Sequence, residues 1–419
     1  MARIAQISLH TSPLAPLGGR DAGGMNVYVL QLSCALGDLG HEVDILTRLD
    51  GDLPPFEQLH RNVRLVRLPA GAPRPLPKDE IAGYGSEFLR ACRELILREG
   101  RGYDLIHSHY WQSARVGAAL ARELRVPHVV MFHTLGEVKN RARISESEPR
   151  RRIRAERLIA RRADAVVTAS RHERALLERY YGVPPQRVRT IPCGIDLERF
   201  SPRDPAAARG RLGLPAAVPI LLWVGRLEPL KGVDVLIEAF AQLPRTDALL
   251  LLVGGDGEAD GYRRELEAIA ERTGVRERVR FLGPVPHEEL PWYYAAADLC
   301  VVPSYYESFG LVAVEAMACG TPVVASRVGG LAETITDGVT GFLIPWRCPE
   351  PFAEKLEILL ENRELRERFS AAARRAVEPL RWSRIAAEVS HLYHELLARR
   401  AAARSAGEGL AEPAPGGVR

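Results

Sequence analysis

The chain has 419 residues, more than one ordinary core holds, and its 46% hydrophobic and 26% charged residues place it in the soluble globular class with two domains expected. A formal net charge of +4 is too small for this length to argue for a nucleic-acid partner, and no zinc-knuckle or aromatic–basic motif supplies one. No apolar stretch is long enough to span a bilayer, and the six cysteines, at 34, 92, 193, 300, 319 and 348, lack C-x-x-C spacing and read as reduced thiols.

In chain order, Arg3 to Leu9 reads as a first strand rather than a signal peptide, since it has no extended apolar region and no cleavage site; the expected location is cytoplasmic. The glycine-rich stretch Leu17 to Asn26 follows and precedes a helical pattern from Val27. There Gly23 and Gly24 would let the backbone approach an anion closely, although a plain tight turn has the same look. The stretch lacks G-x-G-x-x-G, and no acid is placed to read a dinucleotide ribose, so a dehydrogenase loses its main support. Further strands are expected at Val43 to Thr47, Leu105 to Ser108, His128 to His133 and Ala165 to Ala169. Their alternation with helical patterns predicts parallel βαβ units.

Two strand ends, His107-Ser108-His109-Tyr110-Trp111 and Phe132-His133-Thr134, point toward one cleft. Their histidines come without a convergent carboxylate or thiolate, so no metal site is expected, and a cleft histidine can instead orient a hydroxyl. The arginine-rich tract Lys139 to Arg162 reads as a solvated helix face, a wall for an anionic substrate, or a membrane-surface contact.

Ile191 to Asp196 has the look of a hinge, and a second α/β series follows: Ile220 to Gly225, Ala248 to Gly254, Val279 to Leu282, Leu299 to Val302 and Pro322 to Ala325. The expected architecture is α/β with two doubly wound, Rossmann-like domains, 1–195 and 196–380. An amphipathic terminal helix would cover 381–400, and a disordered tail 401–419, rich in Ala, Gly and Pro. Ligands of such sheets bind beyond the carboxyl ends of the strands, so the site is expected in the cleft between the two domains.

Arg226 and Lys231 flank Leu227 to Leu230 directly after the Ile220 to Gly225 strand, where two cations could hold a diphosphate. Such cations stabilise charge growing on a leaving diphosphate without a proton donor; the bland alternative is a surface pair satisfied by Glu228. After Leu299 to Val302, Pro303 and Ser304 break the pattern and Gly310 to Met317 reads as an apolar helix. Its unpaired N–H groups around Ser308, Phe309, Gly310 and Leu311 could receive a phosphate or sugar oxygen. Glu307 lies just ahead of that helix and Glu315 within it, two acceptors suited to hydroxyls. Either alone would usually be a surface acid, but Glu315 stands among Val312, Val314, Ala316 and Met317, and a carboxylate buried there needs a polar partner.

This E-x7-E pattern, with Gly320-Thr321-Pro322-Val323-Val324 behind it, resembles the retaining glycosyltransferases of family 4, which have the GT-B fold. The resemblance extends to about Arg400. It implies a diphosphate pair at Arg226 and Lys231, a donor-sugar acid at Glu307, a ribose acid at Glu315, and a histidine beside the reacting carbon at His133. It also implies that the last helix crosses back to the first domain and that a homodimer is a common assembly. The stretch Asp21 to Val29, His107 to Trp111, and His133 to Leu135 with Val138 to Asn140 is more closely similar to the D-inositol-3-phosphate glycosyltransferases. These use UDP-N-acetylglucosamine at the first committed step of mycothiol synthesis. From that subgroup follow an acceptor site with Asn26, Lys78, Tyr110, Thr134 and an arginine, best matched by Arg152 with Arg151 and Arg154 as alternative registers.

Lys78, Tyr110, Thr134 and Arg152 offer the cations and hydroxyls that a phosphomonoester wants. Bacterial sucrose-phosphate synthases share part of the pattern but usually carry glutamine near Met25. The expected reaction is therefore retaining transfer of a hexosyl or N-acetylglucosaminyl group from a UDP-sugar to a phosphorylated polyol, foremost inositol 3-phosphate, with fructose 6-phosphate or a lipid or glycan acceptor as alternatives. The clamp calls for no metal cofactor, although magnesium could assist. A non-catalytic nucleotide-sugar-binding protein of the same fold is the competing class.

Overall fold

The structure is a computed structural model that describes residues 1–16, 22–142, 147–255, 261–345 and 348–408. Part of the glycine loop, Leu17 to Asp21, and the tail from 409 onward lie outside the described residues.

Two separate sheets carry the chain. The first contains β1 (Arg3–Ser8), β2 (Glu42–Arg48), β3 (Phe56–His60), β4 (Val63–Leu68), β5 (Leu105–His109), β6 (His128–Met131), β7 (Ala165–Thr168) and β8 (Val188–Thr190). Its order is β3-β4-β2-β1-β5-β6-β7-β8. The second contains β9 (Ile220–Val224), β10 (Leu249–Val253), β11 (Val279–Gly283), β12 (Leu299–Val302), β13 (Val323–Ser326) and β14 (Gly341–Ile344), in the order β11-β10-β9-β12-β13-β14. Every pairing is parallel except that of the edge strand β3 with β4. That hairpin and the strands β8 and β14 were not expected from sequence.

Central strands such as β10, Leu-Leu-Leu-Leu-Val, are buried along their whole length because helices cover both faces of a parallel sheet. Each sheet reverses its winding at one point, between β1 and β5 in the first and between β9 and β12 in the second. The carboxyl ends at those points are where an open α/β sheet receives its ligand.

The chain passes between the sheets after β8, where Ile195 N–H donates to the Leu380 carbonyl at 2.7 Å. The helix Trp382–Glu408 then lies on the first domain, against the helix Gly24–Asp38. Trp382 packs edge-on to Tyr28, with ring centroids 5.6 Å apart, and seals Gly194, where an added Cβ would meet the indole at 2.3 Å. His41 Nε2 lies 2.8 Å from Ser390 Oγ, and Arg189 pairs with Glu395 at 3.1 Å. The helix continues to Glu408 instead of giving way to a disordered tail at 401, because Ala401-Ala402-Ala403 is the strongest helix-forming composition available.

All six cysteines are free; Cys92, Cys193, Cys300 and Cys319 are buried, whereas Cys348 is exposed. Among the described residues no helix is long and apolar enough to cross a membrane.

Candidate active site

A cavity of about 310 Å³ opens between the two sheets, and every site residue anticipated from the sequence contributes to its wall. From the second domain come the loops after β9 and β12. Lys231 Nζ sits 2.7 Å from Glu307 Oε2, and Arg226 Nη2 is 3.0 Å from Glu228 Oε1. Burial pushes the Glu228 carboxyl up, but Arg226, Lys231, Lys139 and Lys78 outweigh it and hold it below the usual carboxylate range. The clamp therefore gathers two cations and two carboxylates, with both cations held at a strand end.

The loop carrying Glu307 is shaped by glycine. Gly310, the residue before the helix Leu311–Ala318, has φ +95°, and a Cβ there would strike Leu331 at 2.5 Å. Gly329, at φ +49°, passes so close to the Glu307 carbonyl that a Cβ would lie 1.7 Å from it, and Gly330 N–H donates to that same carbonyl at 3.0 Å. Glu315 is 4% exposed, not a surface acid. The partners its burial demands are Tyr294 Oη, donating to Oε2 at 2.8 Å, and His287 Nε2, 2.7 Å from Oε1. Neither partner was picked out from the sequence.

On the facing domain, Tyr110 begins the helix after β5 with φ +72°, and His133 follows β6 with φ +60°. Left-handed conformations at these bulky residues store strain of order 1 kcal/mol or more each, a cost that concentrates where side chains must be aimed. Lys78 Nζ stands 4.6 Å from the Tyr110 ring centroid and the Arg152 guanidinium carbon 4.8 Å from it, so one ring carries two cations. Burial raises the Tyr110 hydroxyl's pKa, keeping it a neutral donor. Arg152 is 2% exposed and fully engaged: Nε donates to Glu156 at 2.6 Å, Nη1 pairs with Glu148 at 2.8 Å, and Nη2 reaches the Thr134 carbonyl and hydroxyl at 3.0 and 3.1 Å. Of the three arginine registers only Arg152 reaches the cavity; Arg154 is exposed, and Arg151 is an exposed partner of Asp79. The basic tract is thus divided, with Arg152 facing inward and Arg150, Arg154, Arg161 and Arg162 on the solvent side.

Asn26 is 1% exposed, and its amide holds the loops rather than standing free. Oδ1 accepts from Gly23 N–H at 2.9 Å, and Nδ2 donates to Thr11 Oγ1 and the Ser12 carbonyl at 2.9 and 2.6 Å. His10, just past the end of β1, was overlooked in the sequence. It packs against Tyr110 with centroids 4.5 Å apart, is held neutral by burial and by the nearby cations Lys78, Arg152 and Arg226, and buries Nδ1 without a hydrogen-bond partner. Its position directly after a strand at a switch point was the signal available.

The two walls touch. Ser308 Oγ donates to the His133 carbonyl at 2.6 Å, and a Cβ on Gly24 would meet Leu311 at 2.9 Å. Outside the cavity, Glu333 accepts the Arg171 and His172 backbone N–H groups at 3.1 and 2.8 Å from across the cleft. The arrangement brings the Arg226 and Lys231 pair on one domain against a cationic, hydroxyl-bearing wall on the other. Among the described residues no three His, Cys, Asp or Glu side chains cluster so as to hold a metal ion.

Comparison with known proteins gives the same division of the chain. The family described as Glycosyltransferase Family 4 matches residues 22–199, and that described as Glycosyl transferases group 1 matches residues 206–376. A D-inositol 3-phosphate glycosyltransferase of Xylanimonas cellulosilytica is 41% identical over 410 residues, covering 96% of this chain and 98% of that protein. The sucrose-phosphate synthase of Thermosynechococcus elongatus superposes with a TM-score of 0.88 at 38% identity, over 95% of this chain and all of that one. Anabaena HepE, solved in complex with UDP-glucose, superposes with a TM-score of 0.76 at 25% identity, over 94% of this chain and all of that one. With two facing parallel-sheet domains of the GT-B type and relatives matched along nearly its full length, the chain belongs to the family 4 glycosyltransferases.

Proposed function

We propose that the protein transfers a hexosyl or N-acetylglucosaminyl group from a UDP-sugar to a hydroxyl of inositol 3-phosphate, with retention of configuration. The observation that carries this reading is the pairing of two polar sets across one cavity, Arg226 and Lys231 on one wall and Lys78 with the Tyr110 and Thr134 hydroxyls, held in place by Arg152, on the other. One set suits a diphosphate leaving group and the other a phosphomonoester.

In this scheme the diphosphate lies on Arg226, Lys231 and the amides at the start of the helix Leu311–Ala318, the ribose on Glu315, and the transferred sugar between Glu307 and His133. As the bond from sugar to diphosphate breaks, the acceptor hydroxyl attacks the anomeric carbon from the same face and passes its proton to the departing phosphate oxygen. Charge grows on the diphosphate, where the two cations are already in place. Closure of the domains keeps out the water that would otherwise hydrolyse the donor. The clamp's own cations supply the charge, and the reaction is proposed to need no metal, with magnesium at most an aid.

The relatives favour inositol 3-phosphate and supply the alternative to it. The chain matches proteins named for inositol 3-phosphate at about 41% identity and a sucrose-phosphate synthase in three dimensions, which keeps fructose 6-phosphate as the second reading. The test is UDP release from UDP-N-acetylglucosamine and UDP-glucose, each crossed with inositol 3-phosphate and fructose 6-phosphate, with EDTA and then with magnesium. Release dependent on inositol 3-phosphate is the expected result, release dependent on fructose 6-phosphate selects the second reading, and an inverted anomeric signal in the product refutes retention. If neither acceptor works, lipid acceptors and membrane vesicles are tried next, with the exposed arginines Arg150, Arg154, Arg161 and Arg162 as the contact face.

A further inference from the structure

His133 is the head of a buried side-chain chain that leads away from the cavity. His133 Nε2 and His109 Nδ1 are 3.0 Å apart, His109 Nε2 and Gln6 Oε1 2.5 Å, Gln6 Nε2 and Tyr393 Oη 3.4 Å, and Tyr393 Oη and His107 Nδ1 2.7 Å. Gln6, His107, His109 and Tyr393 are each 0% exposed. Gln6 lies on β1, His107 and His109 on its neighbour β5 at the winding switch, and Tyr393 on the terminal helix, so the chain joins the cavity to the element that closes the fold.

The donors and acceptors fix one another. A carbonyl oxygen only accepts, so His109 Nε2 carries the ring proton. That orientation turns the Gln6 amino group toward Tyr393 Oη, whose own hydrogen is then free for His107 Nδ1, so the whole chain is satisfied in one direction. Burial depresses the pKa of both rings, His133 to about 3, so both are neutral near pH 7. A neutral His109 protonated on Nε2 offers a lone pair at Nδ1, and the hydrogen that fills it must come from His133 Nε2. His133, which lines the cavity, is then left with a lone pair on Nδ1.

We propose that Gln6 and His109 are positioning residues that lock His133 in the Nε2–H tautomer, so that it meets the donor sugar as a neutral hydrogen-bond acceptor, with Tyr393 orienting the far end by holding the Gln6 amide. This rests on the reading that His133 lies beside the transferred sugar. An acceptor at Nδ1 takes the proton of a sugar hydroxyl and so fixes its direction, whereas the opposite tautomer would donate to the hydroxyl oxygen. A neutral ring also avoids a cation that would compete with Arg226 and Lys231 for the leaving diphosphate.

The experiment uses the full-length protein labelled with 15N in its histidine rings, as wild type, Gln6→Met and Tyr393→Phe, with long-range 1H–15N spectra read beside UDP-sugar turnover. In the wild type the His133 ring is expected to be neutral and protonated on Nε2. Gln6→Met should give a mixture of His133 tautomers and lower kcat about tenfold, the loss of one well-aligned hydrogen bond, with the acceptor KM unchanged. Tyr393→Phe, far from the cavity and isosteric, should move the same signals in the same direction to a smaller extent. A wild-type His133 protonated on Nδ1 or on both nitrogens, or one tautomer unchanged in both variants, overturns the proposal. Spectra as expected in a wild type that consumes no UDP-sugar would instead refute the glycosyltransfer reading and leave the proton arrangement standing.

Discussion

Glu315 offers a substitution whose effects on stability and on nucleotide binding can be separated. Its carboxylate is buried, accepts from the fully buried Tyr294 hydroxyl at 2.8 Å, and lies 2.7 Å from His287 Nε2. Glu315→Ala would orphan the Tyr294 hydroxyl, at about 1–3 kcal/mol, and add a cavity, so a total loss of about 3 kcal/mol is expected. Glu315→Gln fills the same volume, still offers an oxygen to Tyr294, and places its amino group against His287 Nε2. It should therefore cost about 1 kcal/mol, a fall in melting temperature of roughly 2–4 °C for a domain of this size. Toward a ribose hydroxyl the exchange is less forgiving. A hydrogen bond to a carboxylate is worth about 1 kcal/mol more than one to an amide, so UDP should bind glutamine at that position about five- to tenfold more weakly. Differential scanning calorimetry and titration calorimetry with UDP measure the two quantities on the same samples. Equal UDP affinity for wild type and Glu315→Gln would remove Glu315 from the ribose site, and a Glu315→Gln protein as unstable as Glu315→Ala would show that the charge itself holds the fold.

Other expectations concern the clamp, the acceptor and a buried acid. Lys231→Ala or Arg226→Ala should lower turnover on the order of a hundredfold, with melting shifted little because both side chains are partly exposed; unchanged turnover in both would sink the diphosphate assignment. Lys78→Ala should raise the acceptor KM with kcat near wild type, and a change confined to the donor KM would contradict its place in the acceptor pocket. Glu173 is 2% exposed, and burial lifts its pKa from 4.5 to about 7, opposed only by the Ala169 N–H it accepts. Because the folded value is the higher one, this group favours folding below pH 4.5, loses that contribution as pH rises toward 7, and has lost it above. At about 1.4 kcal/mol per pH unit the difference is roughly 3–4 kcal/mol. Glu173→Gln should flatten the fall of stability between pH 5 and 8, and a slope equal to wild type in urea titrations would refute the assignment.

The second domain could be read from sequence because local chemistry and tertiary role coincide there. Strands such as Ile220 to Val224 and Leu299 to Val302 are continuous apolar runs bounded by Gly or Pro, and the clamp residues follow them directly. What sequence left open at Glu315 was its partners, since His287 and Tyr294 lie 28 and 21 residues upstream and meet it only once the helix Leu290–Ala296 packs beside its own. The hairpin of β3 and β4 escaped for a different reason. Val63–Leu68 carries arginine at every third position instead of the two-residue alternation of a half-buried strand, and the arginines are drawn into pairs, Arg64 with Asp44 and Arg67 with Glu57, that no local pattern announces.

The acceptor side shows where resemblance alone falls short and the physical environment decides. Three arginines within four residues could all supply charge to a phosphate, yet in a helix of 3.6-residue period Arg151 and Arg154 share one face and Arg152 lies on another, the buried one. Arg152 takes that position and is neutralised there by Glu148 and Glu156. Two carboxylates on one buried guanidinium leave it little net charge to offer. An entering phosphomonoester would therefore draw little Coulombic attraction from Arg152, which chiefly fixes Thr134 and the face of Tyr110 through its bonds and stacking. Arg152→Lys would keep the charge but lose the planar fork that serves Glu156, Glu148 and Thr134 together. It should therefore weaken the fold and the acceptor pocket together, whereas Lys78→Ala weakens the pocket alone. Circular dichroism melting and acceptor KM, measured on both variants, distinguish the two roles, and an Arg152→Lys protein with wild-type melting and a raised acceptor KM would return Arg152 to direct phosphate binding.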